Sequence, residues 1–241
     1  MAYGNTFMRH EVKFILTCEE YRKVREAIAP YMTEDEYGKH TICNIYCDND
    51  NWDVIRSSID KPVYKEKLRL RSYGTASDDG LCFLEIKKKF KGVVYKRRVR
   101  LPYKDAHDYL NGGEPPLHSQ QMEEIDYLKT RLALKPKIVI CYDREAFYAN
   151  DDAEFRVTFD CNIRSRLNDL DLRHGDSGTL LAGQPFRIME IKAAYAVPMW
   201  MTRILSELNI HKGSFSKYGS IYKAFLTQNN NDRSIRQCSQ A

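Results

Sequence analysis

Residues 64–72 read YKEKLRLRS. In a β-strand side chains alternate between two faces, so Lys65, Lys67, Arg69 and Arg71 share one side and Leu68 and Leu70 the other. The leucines suit a core. The cations repel one another and add nothing to a core, so their face needs another use.

The same habit recurs along the chain. Glu85, Lys87 and Lys89 oppose Leu84 and Ile86, and Lys96, Arg98 and Arg100 oppose Tyr95, Val99 and Leu101. Arg156, Thr158 and Asp160 oppose Phe155, Val157 and Phe159, while Glu190 and Lys192 oppose Met189 and Ile191. Tyr142 shares a face with Arg144, and Glu11 with Lys13. A solvated sheet face explains any one of these strands. The set is more ionic than such faces usually are, and Glu-x-Lys recurs at 11/13, 85/87 and 190/192, which keeps both groups on one side.

Strands closed into a barrel with the charged sides inward account for the whole set. Closure removes the sheet edges, and amphipathic helices then cover the apolar outer sides. Unpaired charges in such a lumen are prohibitive, so its occupant must be strongly anionic. Arginine and lysine match phosphate oxygens, and carboxylates can hold Mn²⁺ or Mg²⁺ bridging to them. A linear triphosphate or polyphosphate fits better than duplex nucleic acid.

Eight strands are expected, at 10–16, 44–47, 64–73, 82–90, 93–101, 137–149, 154–167 and 187–194. Helices are expected after the Thr17/Glu20 capping box, over 104–110, from the Ser119 cap to 132, over 198–208 and over 216–226. The fold class is thus α+β, a closed eight-stranded antiparallel β-barrel with flanking α-helices. One domain is expected over 1–227, with a disordered polar tail over 228–241.

Composition bounds the function. The formal charge is only +5, from 38 basic and 33 acidic residues, too small an excess for generic nucleic-acid binding. Seven scattered cysteines without a C-x-x-C pair suit a cytoplasmic thiol protein. No apolar run approaches the ~20 residues of a membrane span, so membrane insertion by this chain is not expected. There is no G-x-x-x-x-G-K-[ST] loop and no zinc-type histidine spacing.

The ordered marks R-H-E-V-K-F, K-L-R-L-R, L-E-I-K, Y-K-R-R, Y-D-R, F-R-V-T-F-D, M-E-I-K and S-K-Y resemble the triphosphate tunnel metalloenzymes, the CYTH-like superfamily. Within it the chain is most similar to the VTC domain, a polyphosphate polymerase module, from about Arg9 to Phe225. The resemblance implies an eight-stranded tunnel. Its basic phosphate ligands fall on Lys13, Arg69, Arg71, Lys87, Lys96 or Arg98, Arg144, Arg156, Lys192 and Lys217. Its metal-binding carboxylate falls on Glu190, with Glu11, Glu85 and Asp160 as helpers. Tyr142 is expected to bind substrate, and Ser216 and Tyr218 to add hydrogen bonds beside Lys217. Lys65, Lys67, Lys89 and Arg100 are expected at the rim.

The hydrolase branch opens with Glu-x-Glu-x-Lys, whereas this chain has Arg9 at the first position. One carboxylate fewer and one cation more weakens two-metal activation of water and suits a polymerase. The expectation is γ-phosphoryl transfer from ATP to inorganic polyphosphate. The rivals are an inorganic or nucleoside triphosphatase and a non-catalytic polyphosphate- or RNA-binding module. Any membrane coupling is expected from a separate partner.

Overall fold

Alternation along one long antiparallel sheet decides what each of its faces does. The computed structural model describes residues 10–60, 62–91, 93–183 and 186–238, with side chains from 11 to 227 within those ranges. Arg9 and the turn glycine Gly92 lie outside the described residues. The strands are β1 (His10–Leu16), β2 (Met32–Glu34), β3 (His40–Asp48), β4 (Tyr64–Tyr73), β5 (Leu81–Phe90), β6 (Val93–Pro102), β7 (Lys135–Ala149), β8 (Arg156–Arg166), β9 (Thr179–Leu180) and β10 (Arg187–Ala193). The helices are α1 (Cys18–Ile28), α2 (Asp53–Ile59), α3 (Tyr103–Leu110), α4 (Gln120–Arg131), α5 (Met199–Glu207) and α6 (Lys217–Cys238). A short 3-10 turn covers Leu172–His174.

The eight long strands run in the order β1-β10-β8-β7-β3-β4-β5-β6, with β2 added to β7 and β9 to β8. The sheet curls, and its convex side carries two apolar cores. In one, Leu68, Leu70, Leu84 and Ile86 lie beneath Ala106 and Tyr109 of α3 and Met122, Ile125 and Leu128 of α4. In the other, Phe14, Val157, Phe159, Met189 and Ile191 lie beneath Val24 and Ile28 of α1 and Met201 and Ile204 of α5. Each such side chain contributes roughly 1.5–3 kcal/mol when fully buried, so the helices belong on this side. The charged alternates then face the concave side.

The expected closed barrel is corrected by the edges. The sheet is a half-barrel, because β1 and β6 do not pair. The chain after α5 takes up the outer edge of β1, where the Gly213 amide donates to the Lys13 carbonyl at 2.7 Å. Side chains reach across instead: Lys87 Nζ on β5 lies 2.7 Å from Glu11 Oε2 on β1. The concave side is also not wholly ionic. A third core of Ile42, Tyr46, Ile138, Ile140 and Ile188 packs there against Ile55 of α2 and Tyr218, Ile221 and Tyr222 of α6.

Most long elements match the sequence reading, including the reciprocal Thr17/Glu20 capping box of α1. The expected 44–47 strand is longer, because β3 starts at His40. β2, α2 and β9 are too short to show periodicity. α6 is described to Cys238, past the end expected at 226 and over much of the stretch expected as a tail. A register shift between β7 and β8 falls at Cys141/Asp143. The extra residue lies on β8, where Asn162 has φ 49°. Asparagine tolerates that left-handed conformation, and the bulge turns Ile163 into the concave core after Asp160.

Asp48, at the end of β3, pins the plug. Its buried carboxylate accepts from the amides of Asn49 (2.9 Å), Val54 (2.9 Å) and Ile55 (3.0 Å), which starts α2, and from the Tyr218 hydroxyl of α6 (2.9 Å). Replacing Asp48 by Ala strands these donors in the interior. Urea denaturation is expected to show a loss of about 2–4 kcal/mol for Asp48→Ala and about 1 kcal/mol for Tyr218→Phe. A loss under ~0.5 kcal/mol for Asp48→Ala would remove Asp48 from this role.

Candidate functional site

The site is built from cross-strand rows on the concave face. On one wall the registers give Arg98–Glu85–Arg69–Tyr46, then Lys96–Lys87–Lys67, then Arg100–Phe83–Arg71–Asn44, running from β6 through β5 and β4 and, in the first and third rows, on to β3. On the other wall they give Arg144–Asp160–Ile188, then Ala146–Thr158–Glu190–Lys13, then Tyr148–Arg156–Lys192–Glu11, running from β7 through β8 and β10 and, in the last two, on to β1.

Glu85 is almost fully buried and organises the first wall. It accepts from Arg69 Nε at 2.8 Å, pairs with Lys96, and lies 4.0 Å from Arg71 Nε. Burial opposes its ionisation, but Arg69, Arg71 and Lys96 outweigh it and hold the carboxyl far below the usual range. Arg69 also donates to the Tyr46 hydroxyl at 3.2 Å. Arg71 donates to Asn44 Oδ1 at 3.0 Å and to the Tyr142 hydroxyl at 3.3 Å.

Asp160 does the same on the second wall. Arg144 grips it with two hydrogen bonds of 2.7 and 2.8 Å, and Lys217 at the start of α6 donates at 2.5 Å. Burial again opposes ionisation, and Arg144 and Lys217 again prevail, so the carboxyl stays ionised. Tyr142 sits between the walls, with Lys217 Nζ 4.2 Å and the Arg144 guanidinium 5.3 Å from its ring centre. Burial raises its pKa, yet Arg144, Arg71 and Lys217 bring it down to about 8.

The lysines differ from the arginines. Lys67 has no carboxylate within ion-pair distance among the described residues and lies 5.7 Å from the Tyr218 ring centre. Burial and the like charges of Lys65, Lys13 and Lys87, offset in part by Tyr46, lower its pKa to about 8. Burial, with Arg71 and Arg69 acting against the attraction of Glu85, brings Lys96 to about 8 as well. Burial chiefly lowers the pKa of Lys13, with Glu190 resisting. Such protons are held weakly without an anion and firmly with one.

The carboxylates are not equally available to a metal ion. Glu85 and Asp160, expected as metal helpers, each carry arginine and lysine partners here and act as internal counter-ions. Glu11 pairs with Lys87. Among the described residues Glu190 has one loose ion pair, 3.7 Å to Lys192 Nζ. Burial opposes its ionisation, but Lys192, Lys13, Lys87 and Arg144 keep its pKa well below the usual carboxylate range. No cluster of three or more metal-ligating side chains occurs among the described residues. One ionised carboxylate plus phosphate oxygens is nevertheless a common way to hold Mg²⁺, so Glu190 fits that role.

The structure thus gathers Glu11, Lys13, Arg69, Arg71, Glu85, Lys87, Lys96, Tyr142, Arg144, Asp160, Glu190, Lys192 and Lys217 on the concave side. It sets others apart. Arg156 is at the rim, 43% exposed and 3.6 Å from Asp35. Arg98 is exposed, its guanidinium 4.9 Å from the Phe83 ring centre. Ser216 caps α6 by accepting from the Gly219 amide at 3.2 Å. Tyr218 is buried with its hydroxyl on Asp48. Lys67, expected at the rim, is inside. Lys65 reaches the Ser58 carbonyl at 3.2 Å. Asn44 and Tyr46 were missed because β3 is apolar on its other face and buried on both, so its alternation shows only once the partners are known.

Comparison with known proteins agrees with this geometry. Residues 8–226 match the VTC domain family. Subunit 4 of the vacuolar transporter chaperone complex of Schizosaccharomyces pombe is 26% identical over 177 residues, 64% of this chain and 23% of that protein. The chain therefore spans about a quarter of that relative's length. A proposed adenylate cyclase from Bacillus halodurans shares the fold at TM-score 0.55 and 12% identity, over 88% of this chain and 96% of that one. A Hippeastrum protein described as a proposed adenylyl cyclase with dominant triphosphatase activity aligns at TM-score 0.51 and 13% identity, over 90% and 96%. These two likenesses concern the fold alone. With the family match spanning most of the sequence, the chain belongs to the VTC domain family.

Proposed function

We propose that this domain is a polyphosphate polymerase, transferring the γ-phosphoryl group of ATP to the end of an inorganic polyphosphate chain. The observation that carries this reading is the concave array itself. Arg69, Arg71 and Arg144, mostly or wholly withdrawn from solvent, are fixed by the counter-ions Glu85 and Asp160, while Lys13, Lys192, Lys87 and Arg144 surround a further carboxylate, Glu190, that no arginine grips. Pure anion binding gains nothing from that carboxylate, which speaks against a receptor role. The family relation and the Arg9 substitution lean the same way.

No protein nucleophile is required. A terminal phosphate oxygen of the acceptor attacks the γ-phosphorus, the bond to the β-bridging oxygen breaks, and ADP leaves with that electron pair. The arginines position the phosphates in line, and Lys13, Lys87 and Lys192 offset the charge spread over the transferring oxygens. Tyr142, held between cations, donates to or orients a phosphate oxygen. A divalent ion, Mn²⁺ or Mg²⁺, would be held on Glu190 and would add neutralisation of phosphate charge. The triphosphatase activity named for the Hippeastrum protein supports the second reading, in which water attacks instead. The domain is proposed to act in the cytoplasm. No helix among the described residues is long and apolar enough to cross a membrane.

Incubating the purified chain with ATP and Mn²⁺, then assaying long-chain polyphosphate and free phosphate separately, distinguishes the readings. Polyphosphate is expected, and Glu190→Gln is expected to reduce it about 100-fold with little change in urea midpoint. Phosphate without chains would establish the hydrolase, and neither product with tight polyphosphate binding would establish the receptor.

Proton linkage gives an independent test. Lys67 and Lys96 lose their charge as pH rises through about 8, and Tyr142 gains negative charge near the same pH. Bound phosphate favours the protonated form of all three, so affinity is full below pH 7 and falls through this window. Calorimetry with tripolyphosphate is expected to show at least about ten-fold weaker binding at pH 9 than at pH 7, with proton uptake on binding at pH 8.5. Lys67→Met should flatten the profile, and a pH-independent affinity would contradict the assignment.

A further inference from the structure

The row of cations on β4 ends in an exposed aromatic ring. Along the concave side of this strand stand Lys65, Lys67, Arg69, Arg71 and Tyr73. Lys65 reaches the Ser58 carbonyl of α2, and Lys67 lies against the Tyr218 ring of α6, so the helices cover that end. Tyr73, at the other end, is 51% exposed.

Other rings gather around it. Phe83 on β5 opposes Arg71, and His40 on β3 alternates with Ile42 and Asn44, so both belong to the concave side. The Tyr73 ring centre lies 5.9 Å from that of Phe83 and 5.9 Å from that of His40. Tyr37, in the turn before β3 and 66% exposed, extends the series at 6.0 Å from His40. Phe83 meets Tyr73 nearly edge-on, at 84°, and carries the Arg98 guanidinium 4.9 Å from its ring centre. The exposed ring surface of the group is therefore that of Tyr73 and Tyr37.

A bare phosphate chain has no use for these rings. Phosphate oxygens take hydrogen bonds and positive charge, and the electron-rich face of a ring offers neither. An open aromatic surface at the mouth of a cationic groove suits a ligand that joins a flat ring system to a run of phosphates. Nucleobases all have a π-face and are commonly held by stacking on aromatic side chains. Arg71 stands two residues from Tyr73 on β4, about 7 Å along the strand, which leaves room for a sugar between base and first phosphate. Arg69 follows one step further in, and the Tyr142 hydroxyl bonded to Arg71 leads to the opposite wall.

We propose that Tyr73, braced by His40 and Phe83, is the stacking platform for the nucleobase of the donor nucleotide, which lies base-outward with its triphosphate directed past Arg71. This deepens, and rests on, the reading that ATP is the phosphoryl donor. Stacking depends on ring area more than on hydrogen-bond pattern, so the platform favours purine over pyrimidine nucleotides and separates ATP from GTP only weakly.

The test uses the full chain with Mn²⁺, and compares the β,γ-imido analogue of ATP with tripolyphosphate by calorimetry. Tyr73→Ala removes the ring and Tyr73→Phe keeps it. Tyr73→Ala is expected to weaken binding of the analogue about ten-fold, while Tyr73→Phe stays within about two-fold of the parent. Tripolyphosphate affinity is expected to stay within about two-fold in both variants, which also shows that the groove has kept its fold. The triphosphate of 2-aminopurine riboside gives a direct signal, since its fluorescence is quenched on stacking: quenching is expected with the parent and is expected to be lost in Tyr73→Ala. Unchanged affinity for the analogue in Tyr73→Ala, or an equal loss for tripolyphosphate, overturns the platform and leaves the triphosphate reading standing. Tighter binding of a short oligoadenylate than of the analogue, lost in Tyr73→Ala, would give the rings to single-stranded RNA and also overturn it. A parent that binds tripolyphosphate but not the analogue defeats both the platform and ATP as donor. One that binds neither defeats the triphosphate reading as well.

Discussion

A guanidinium taken out of water needs a counter-charge, and that constraint orders the concave face. Removing one partner from a buried pair costs about 3–5 kcal/mol, so Arg144 and Asp160 must be placed together or not at all. Their two-point contact joins β7 to β8, and Lys217 on the same carboxylate ties α6 to both. Glu85 joins β4, β5 and β6 in the same way through Arg69 and Lys96. The two carboxylates therefore hold the cations still without cancelling them all. Lys13 and Lys67, which form no ion pair within 4.0 Å among the described residues, remain as charge that an anion would neutralise.

The rest of the architecture frees that face. Apolar alternates of every long strand point outward, and α1, α3, α4 and α5 cover them on the convex side. Among the described helices, α6 and α2 pack on the concave side, at the end where Ile42, Ile138, Ile140 and Ile188 replace charged residues. Asp48 fixes both helices there. The half-barrel keeps its two edge strands apart, and the Lys87–Glu11 pair links the walls by side chains alone.

Preorganisation is the common thread between this geometry and phosphoryl transfer. In the proposed reaction Arg69, Arg71 and Arg144 would be held in place by Glu85, Asn44 and Asp160 before a phosphate arrives, leaving little reorganisation. Tyr142 connects the walls through Arg71 while Lys217 and Arg144 lie along its ring. Polymerase and hydrolase readings share all of these groups and part only over the attacking oxygen.

Period-two alternation in strands such as YKEKLRLRS was sufficient to separate an ionic face from an apolar one, because the side a residue occupies follows from chain geometry alone. It also sufficed to put arginine and lysine, whose geometry matches phosphate oxygens, together on one face. It did not decide closure, which depended on Gly213 taking the edge of β1 and on α6 entering the concave side, contacts of long sequence separation. Nor did it rank the carboxylates: Glu85, Asp160 and Glu190 look alike in sequence, and only their partners make two of them counter-ions and leave the third available. Lys67 and Tyr218 exchanged places for the same reason. One lysine near a strand end was carried inside by the curl of the sheet, and the tyrosine beside Lys217 was turned by the helix onto Asp48. Which face a residue takes is local; what it meets there is settled by the fold.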